Sequence, residues 1–271
     1  VADAADPALS YPSMAFVAFQ ATFAIITVAL ISGAIADRAK FGAWMVFAGL
    51  WATIVYFPVA NWVFNFTLED GKVVDGGWIV YGLGVIDFAG GTAVHINAGA
   101  AGLALAIVLG KRFGFSKGIT QPHNVPLTLL GVSLLWFGWF GFNAGSELAA
   151  DGLASIAFIN TLAAPAAAML GWIAVEKIKH GKATSIGAGS GAVAGLVAIT
   201  PACASLDPVW AIVLGVLAGA LCALAVDLKF ALGFDDSLDV VGIHLVGGIV
   251  GTLFIGIFGN NVGAAFGFGW H

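Results

Sequence analysis

The stretch Pro208-Val-Trp-Ala-Ile-Val-Leu-Gly-Val-Leu-Ala-Gly-Ala-Leu-Cys-Ala-Leu-Ala-Val226 runs for nineteen residues without a charged, histidine or amide side chain. As a helix it would cover about 28 Å, close to the roughly 30 Å hydrocarbon layer of a bilayer. One such run can be a buried helix of a large soluble protein, but here apolar runs of this kind recur at 11–36, 41–64, 87–110, 125–147, 154–175, 186–206, 208–226 and 238–259. Hydrophobic residues make up 60% of the 271, and only 9% are charged. Soluble domains average about 25% charged residues. With a mean hydropathy of +1.00, the sequence predicts an all-α, polytopic membrane protein, one domain over 1–271, with eight spans.

The ten basic residues orient it. Arg38 and Lys40 follow the first span, Lys111, Arg112 and Lys117 the third, Lys177, Lys179 and Lys182 the fifth, and Lys229 the seventh. These are alternate connections, so nine of the ten lie on one side; only Lys72 falls on the other, beside Glu69, Asp70 and Asp75. Cytoplasmic loops carry the excess of Lys and Arg, so residues 1–10 and the loop 65–86 are predicted outside and 176–185 inside.

The net charge of −5, with no basic patch, gives no reason to expect a nucleic-acid partner. Cys203 and Cys222 lie in or beside apolar runs and read as small core residues, with no disulfide or metal site expected. Residues 1–10 lack the basic-then-apolar order of a signal peptide. A start at Val1 and an end at Trp270-His271 in a Gly-rich stretch read as cut ends. Gly187, Gly191 and Gly195 recur on one helix face, a pattern for close helix packing in lipid.

His95 and His244 fall inside spans, where an ionisable side chain is functional by default. Their surroundings repeat: glycines stand at +4, +7 and +15 from each, Gly99, Gly102 and Gly110 beside Gly248, Gly251 and Gly259. Asp87 precedes His95 by eight residues and Asp239 precedes His244 by five; both read as helix N-caps. The two spans are third and eighth, so a five-helix unit is duplicated and inverted. His95 then enters from outside and His244 from inside, as at the repeat interfaces of many transporters. Structural histidines, haem ligation and a proton relay are the alternatives. Neutral imidazoles along a narrow apolar path suit a small polar solute that sheds its charge. No cofactor is expected.

Asp87-Phe-Ala-Gly-Gly-Thr-Ala-Val-His95-Ile-Asn and Asp235-Asp-Ser-Leu-Asp-Val-Val-Gly-Ile-His244 resemble signatures of the ammonium transporter family, Amt/MEP/Rh. So do Phe19-Gln-Ala-Thr-Phe23, Gly138-Trp-Phe-Gly-Phe-Asn-Ala-Gly-Ser146, Lys111-Arg112 and Thr200-Pro-Ala-Cys203. The resemblance covers nearly the whole chain and favours the bacterial Amt branch. It implies eleven membrane helices, of which these eight resemble the third to tenth. By the same resemblance, two N-terminal helices, the last helix and the tail would lie outside this chain.

The resemblance also implies roles. Phe23 and Phe142 resemble a stacked gate. Phe19, Phe64, Asp87 and Ser146 resemble parts of an outer ammonium recruitment site, Trp139 a pore-lining tryptophan, and His95 and His244 the twin histidines. One departure stands at Phe64, where the family often has tryptophan; Trp78 is the alternative ring. Implied partners are ammonium or ammonia, the lipid bilayer, two further copies in a homotrimer, and a PII-type signal protein. The implied activity is transport across the plasma membrane, not enzymatic catalysis. Two alternatives remain open: an ammonium-sensing domain of a signalling protein, and a Rh-like gas channel.

Overall fold

The computed structural model describes residues 11–69, 72–115 and 122–260. Lys117, residues 1–10 and the end at Trp270-His271 lie outside them. Helices α1 (Ser13–Ala34), α2 (Phe41–Phe64), α3 (Gly91–Leu109), α4 (Val125–Asn143), α5 (Gly152–His180), α6 (Ser185–Ile199), α7 (Pro208–Ala225) and α8 (Val241–Phe258) form one bundle. Seven of the runs are long and apolar enough to cross a membrane. Large apolar side chains such as Ile25, Val46, Phe137, Leu170 and Leu253 point outward, a surface that lipid solvates and water would not. The long loop 65–86 holds a short antiparallel hairpin, β1 (Phe66–Glu69) and β2 (Lys72–Gly76), the only strand pair among the described residues.

The helix ends are written in the sequence. Asn124, Asp151 and Thr184 each accept a backbone N–H in the first turn of α4, α5 and α6, the usual work of such caps. Pro208 opens α7, where a missing N–H costs nothing. Gly181 ends α5 in a left-handed conformation, φ 75°.

Helix α6 is shorter than the span predicted at 186–206. Its 15 residues cover about 22 Å, and beyond Ile199 the chain continues in turns. Irregular backbone at membrane depth is tolerated only where protein encloses it. The enclosure is complete from Gly191 to Cys203, all buried. Asn160 of α5 donates to the Cys203 and Leu206 carbonyls at 2.8 and 2.7 Å. Gly191 and Gly195 press on α5 as the small-residue pattern predicted: a Cβ on Gly195 would meet Ala168 and Pro165 at 2.6 Å. Cys203 and Cys222 are free and fully buried.

The connections predicted to share the cytoplasmic side do converge. Arg112 donates to the carboxylate of Asp235 from its backbone (2.6 Å) and from its guanidinium (2.9 Å), and Arg38 reaches the same residue. Burial pushes the Asp235 carboxyl up, but the Arg112 hydrogen bonds outweigh it and hold it below the usual carboxylate range. Lys179 pairs with Asp227 at 2.5 Å. Loops after α1, α3, α5 and α7 thus lie on one face.

Candidate transport site

Both histidines lie in π-helical turns, Gly91–Ile96 in α3 and Val241–Leu245 in α8. Such turns concentrate at functional sites. The helices begin at Gly91 and Val241, not at 87 and 238 as the hydropathy suggested. Each histidine is therefore in the first turns of its helix. Gly90, with φ 109°, turns the chain sharply into α3, a conformation glycine adopts at no steric cost.

Asp87 spends its carboxylate on this start. Its Oδ1 accepts from the N–H groups of Gly90 and Gly91 and its Oδ2 from Thr92 and Ala93, at 2.6 to 3.1 Å. The equivalent residue at α8 is Asp236, which accepts from Val240 (3.1 Å) and Val241 (2.7 Å). It precedes His244 by eight residues, the same offset as Asp87 from His95. The capping role expected of Asp239 is therefore corrected: that residue has a left-handed backbone, φ 60°, and its carboxylate pairs with buried Lys229 at 2.6 Å. The equal offset was legible in the sequence but lay in the middle of the Asp235–Asp239 acidic cluster.

The duplication extends to the residue after each capping aspartate. The N–H of Phe88, one past Asp87, donates to the Pro201 carbonyl at 3.1 Å. The N–H of Ser237, one past Asp236, donates to the Ala34 carbonyl at 3.2 Å. Thus α3 meets the end of α6 as α8 meets the end of α1, five helices apart.

At the crossing the Nδ1 atoms of His95 and His244 are 3.2 Å apart, the rings stacked at 5.3 Å and 23°. Both are buried. One Nδ1 must donate and the other accept, so two neutral rings share one proton here and present one Nε2–H and one bare Nε2. The Nε2 of His95 has no hydrogen-bond partner among the described residues. Trp139 also stacks on His95, at 5.3 Å and 19°. Its indole N–H donates to Thr200 Oγ1 at 2.9 Å, and that hydroxyl donates to the Leu196 carbonyl. Asn143, buried at the end of α4, donates to Thr161 at 3.0 Å. Thr200 entered the sequence reading only as a motif residue; its role as the anchor of Trp139 had no local signal.

Toward the hairpin side, Phe142 lies 6.1 Å from His95 and stacks on Phe23 at 4.4 Å and 24°. Phe23 also meets Phe19 at 5.0 Å and Phe64 at 6.3 Å. Beyond this stack opens a cavity of about 660 Å³ lined by Phe19, Phe23, Phe64, Asp87 and Ser146, among others. All the predicted outer-site residues are therefore brought together. Trp78 is not among the lining residues; its ring sits against Trp62 at 5.6 Å and is half exposed. Glu147, which the sequence reading passed over, lines the cavity as well.

A profile described as Ammonium Transporter Family matches residues 1–267. The chain belongs to that family. The ammonium transporter of Mycobacterium tuberculosis (strain ATCC 25618 / H37Rv) is 65% identical over 247 residues, 91% of this chain and 51% of that one. The ammonium transporter of Bacillus subtilis (strain 168) is 49% identical over 267 residues, 97% of this chain and 63% of that one. The crystal structure of Saccharomyces cerevisiae Mep2 superposes with a TM-score of 0.84 at 42% identity, covering 93% of this chain and 54% of Mep2. A solved structure described as a sensor Amt protein gives 0.83 at 33% identity, over 90% and 61%. This member of the ammonium transporter family thus spans about half the length of its mycobacterial relatives, and it is a multi-pass membrane protein.

Proposed function

We propose that this chain forms most of the pore of an ammonium transporter in the plasma membrane, acting as a homotrimer with one pore per subunit. The observation that carries the reading is the His95–His244 contact lying directly behind the Phe23–Phe142 stack, with an aromatic cavity in front of it. Ammonium gathers in that cavity against the faces of Phe19 and Phe64, whose ring quadrupoles attract a cation. Ser146 Oγ donates its proton to the Phe142 carbonyl at 2.7 Å, leaving lone pairs to accept an ammonium N–H. A bare cation in the apolar passage beyond is costly, so ammonium loses a proton at the constriction and ammonia passes beside the imidazoles. The shared-proton pair offers it one donor and one acceptor. Potassium has no proton to lose and stays out. The proton crosses separately and rejoins ammonia on the far side, so the solute leaves with the composition it had on entry and the chemistry is transport.

The test is flux through full-length protein in sealed vesicles, for wild type, His95→Ala and His244→Ala. Ammonium flux that is lost or strongly changed in folded variants supports the reading. Unchanged rate and selectivity in both would make the histidines structural.

A second reading rests on the similarity to the sensor Amt protein: a transporter-like domain joined to a signalling module. A full-length reading frame encoding a signalling domain supports it, and one without such a domain refutes it.

A further inference from the structure

Glu147 ends the short turn Ala144–Glu147 that follows α4, one residue past Ser146. The turn is fixed on both sides, by the Ser146 hydroxyl on the Phe142 carbonyl and by the Leu148 N–H on the Gly145 carbonyl. Glu147 is among the residues that line the outer cavity. The neighbouring carboxylates are committed: Asp87 to four N–H groups at the start of α3, and Asp151 to the N–H groups of Leu153 and Ala154 at the start of α5. Among the described residues, no hydrogen bond or ion pair engages Glu147, and no Lys, Arg or His lines the cavity. An uncompensated charge beside low-dielectric aromatic walls focuses its field into the space they enclose.

The geometry points to Glu147 as the cation-attracting side chain of the outer cavity, supplying a charge that complements the weaker ring of Phe64. It rests on the transport reading of that cavity. Its attraction is Coulombic, so it gathers ammonium, methylammonium and potassium alike, while selection stays with the constriction and the histidines. Its effect must also fade with salt, because the cavity opens to solvent.

Equilibrium binding of radiolabelled methylammonium to detergent-solubilised full-length protein tests this without requiring transport. At low ionic strength Glu147→Gln should weaken binding roughly three- to tenfold, and Glu147→Lys further. Both differences should shrink at high salt, and Glu147→Asp should restore most of the affinity. Wild-type affinity in Glu147→Gln overturns the proposal, as does a loss that salt does not touch, or no binding to wild type at all. Vesicle flux is measured in parallel. Binding with the expected salt dependence but no wild-type flux sinks the transport reading and leaves the role of Glu147 standing.

Discussion

Gly99 of α3 lies against the backbone of Leu245 in α8, so close that a Cβ on the glycine would come within 2.5 Å of the Leu245 nitrogen. The reverse contact also exists: a Cβ on Gly248 would meet Ile96 Cγ1 at 2.8 Å. Each glycine stands four residues after a histidine, and each faces the residue just after the other histidine. The crossing that brings the two imidazoles together is therefore a two-fold one, held at backbone distance on both sides.

Gly99→Ala should for that reason cost about 1–3 kcal/mol, because backbone cannot yield as a side-chain tip can. Gly131, with nothing within 4 Å of an added Cβ, is the control, and Gly131→Ala should be close to neutral. Thermal unfolding of the full-length variants in detergent separates the two. Equal melting for Gly99→Ala and Gly131→Ala would contradict the crossing geometry.

Phe142→Ala should leave a folded protein with altered ammonium selectivity or blocked conduction. Its ring contacts Phe23, His95 and Trp139 within one file, whereas a lipid-facing ring would be expendable. Currents carried by ammonium and potassium in reconstituted vesicles give the answer. Wild-type flux and selectivity would remove Phe142 from the constriction.

Replacing His95 by Glu places a fixed negative charge where a neutral ring stood. A carboxylate there stabilises a bare cation, so His95→Glu should retain ammonium flux and admit potassium, unlike His95→Ala. Exclusion of potassium by His95→Glu would argue that selection lies elsewhere in the path.

Asp75→Cys should label from outside and Lys182→Cys from inside a sealed vesicle. The native Cys203 and Cys222 are fully buried and supply no background. Labelling of both positions from one side would reverse or break the orientation.

Asp236 predicts a pH effect with a definite sign. Burial, against the Val241 hydrogen bond, raises its carboxyl to about 6, while an unfolded Asp titrates near 3.9. The folded state thus holds this proton more tightly, and stability falls as pH climbs from about 4 to about 6. Asp235 is shifted down instead. It adds stability above the ordinary carboxylate range and loses it at lower pH, outside that window. Asp236→Asn should flatten the pH 4–6 slope of the unfolding midpoint. An unaltered slope would assign it to another group.

The apolar runs, the grouping of the basic connections on one face and the histidine pair were all legible because charges in a lipid-solvated chain are rare and each one carries information. Local geometry was less so. A π turn inserts a residue without changing hydropathy, so nothing in 87–96 marked Gly91 as the start of α3. Asp236 and Asp239 are chemically the same, and only the fold shows that Lys229 claims the second. The short α6 was hidden because its turns are as apolar as a helix, their polar needs being met by Asn160 from another segment. The Thr200–Trp139 bond joins positions 61 apart, beyond any local pattern.

The two partner imidazoles are 149 residues apart along the chain. At about 5–20 residues per second, roughly 7–30 seconds of synthesis separate them. Throughout that interval the His95 ring is a polar group in a nascent bundle with no mate. A ribosome that stalls before α8 leaves a chain whose third helix exposes an unanswered imidazole, the kind of defect by which membrane quality control can tell an unfinished pore from a finished one.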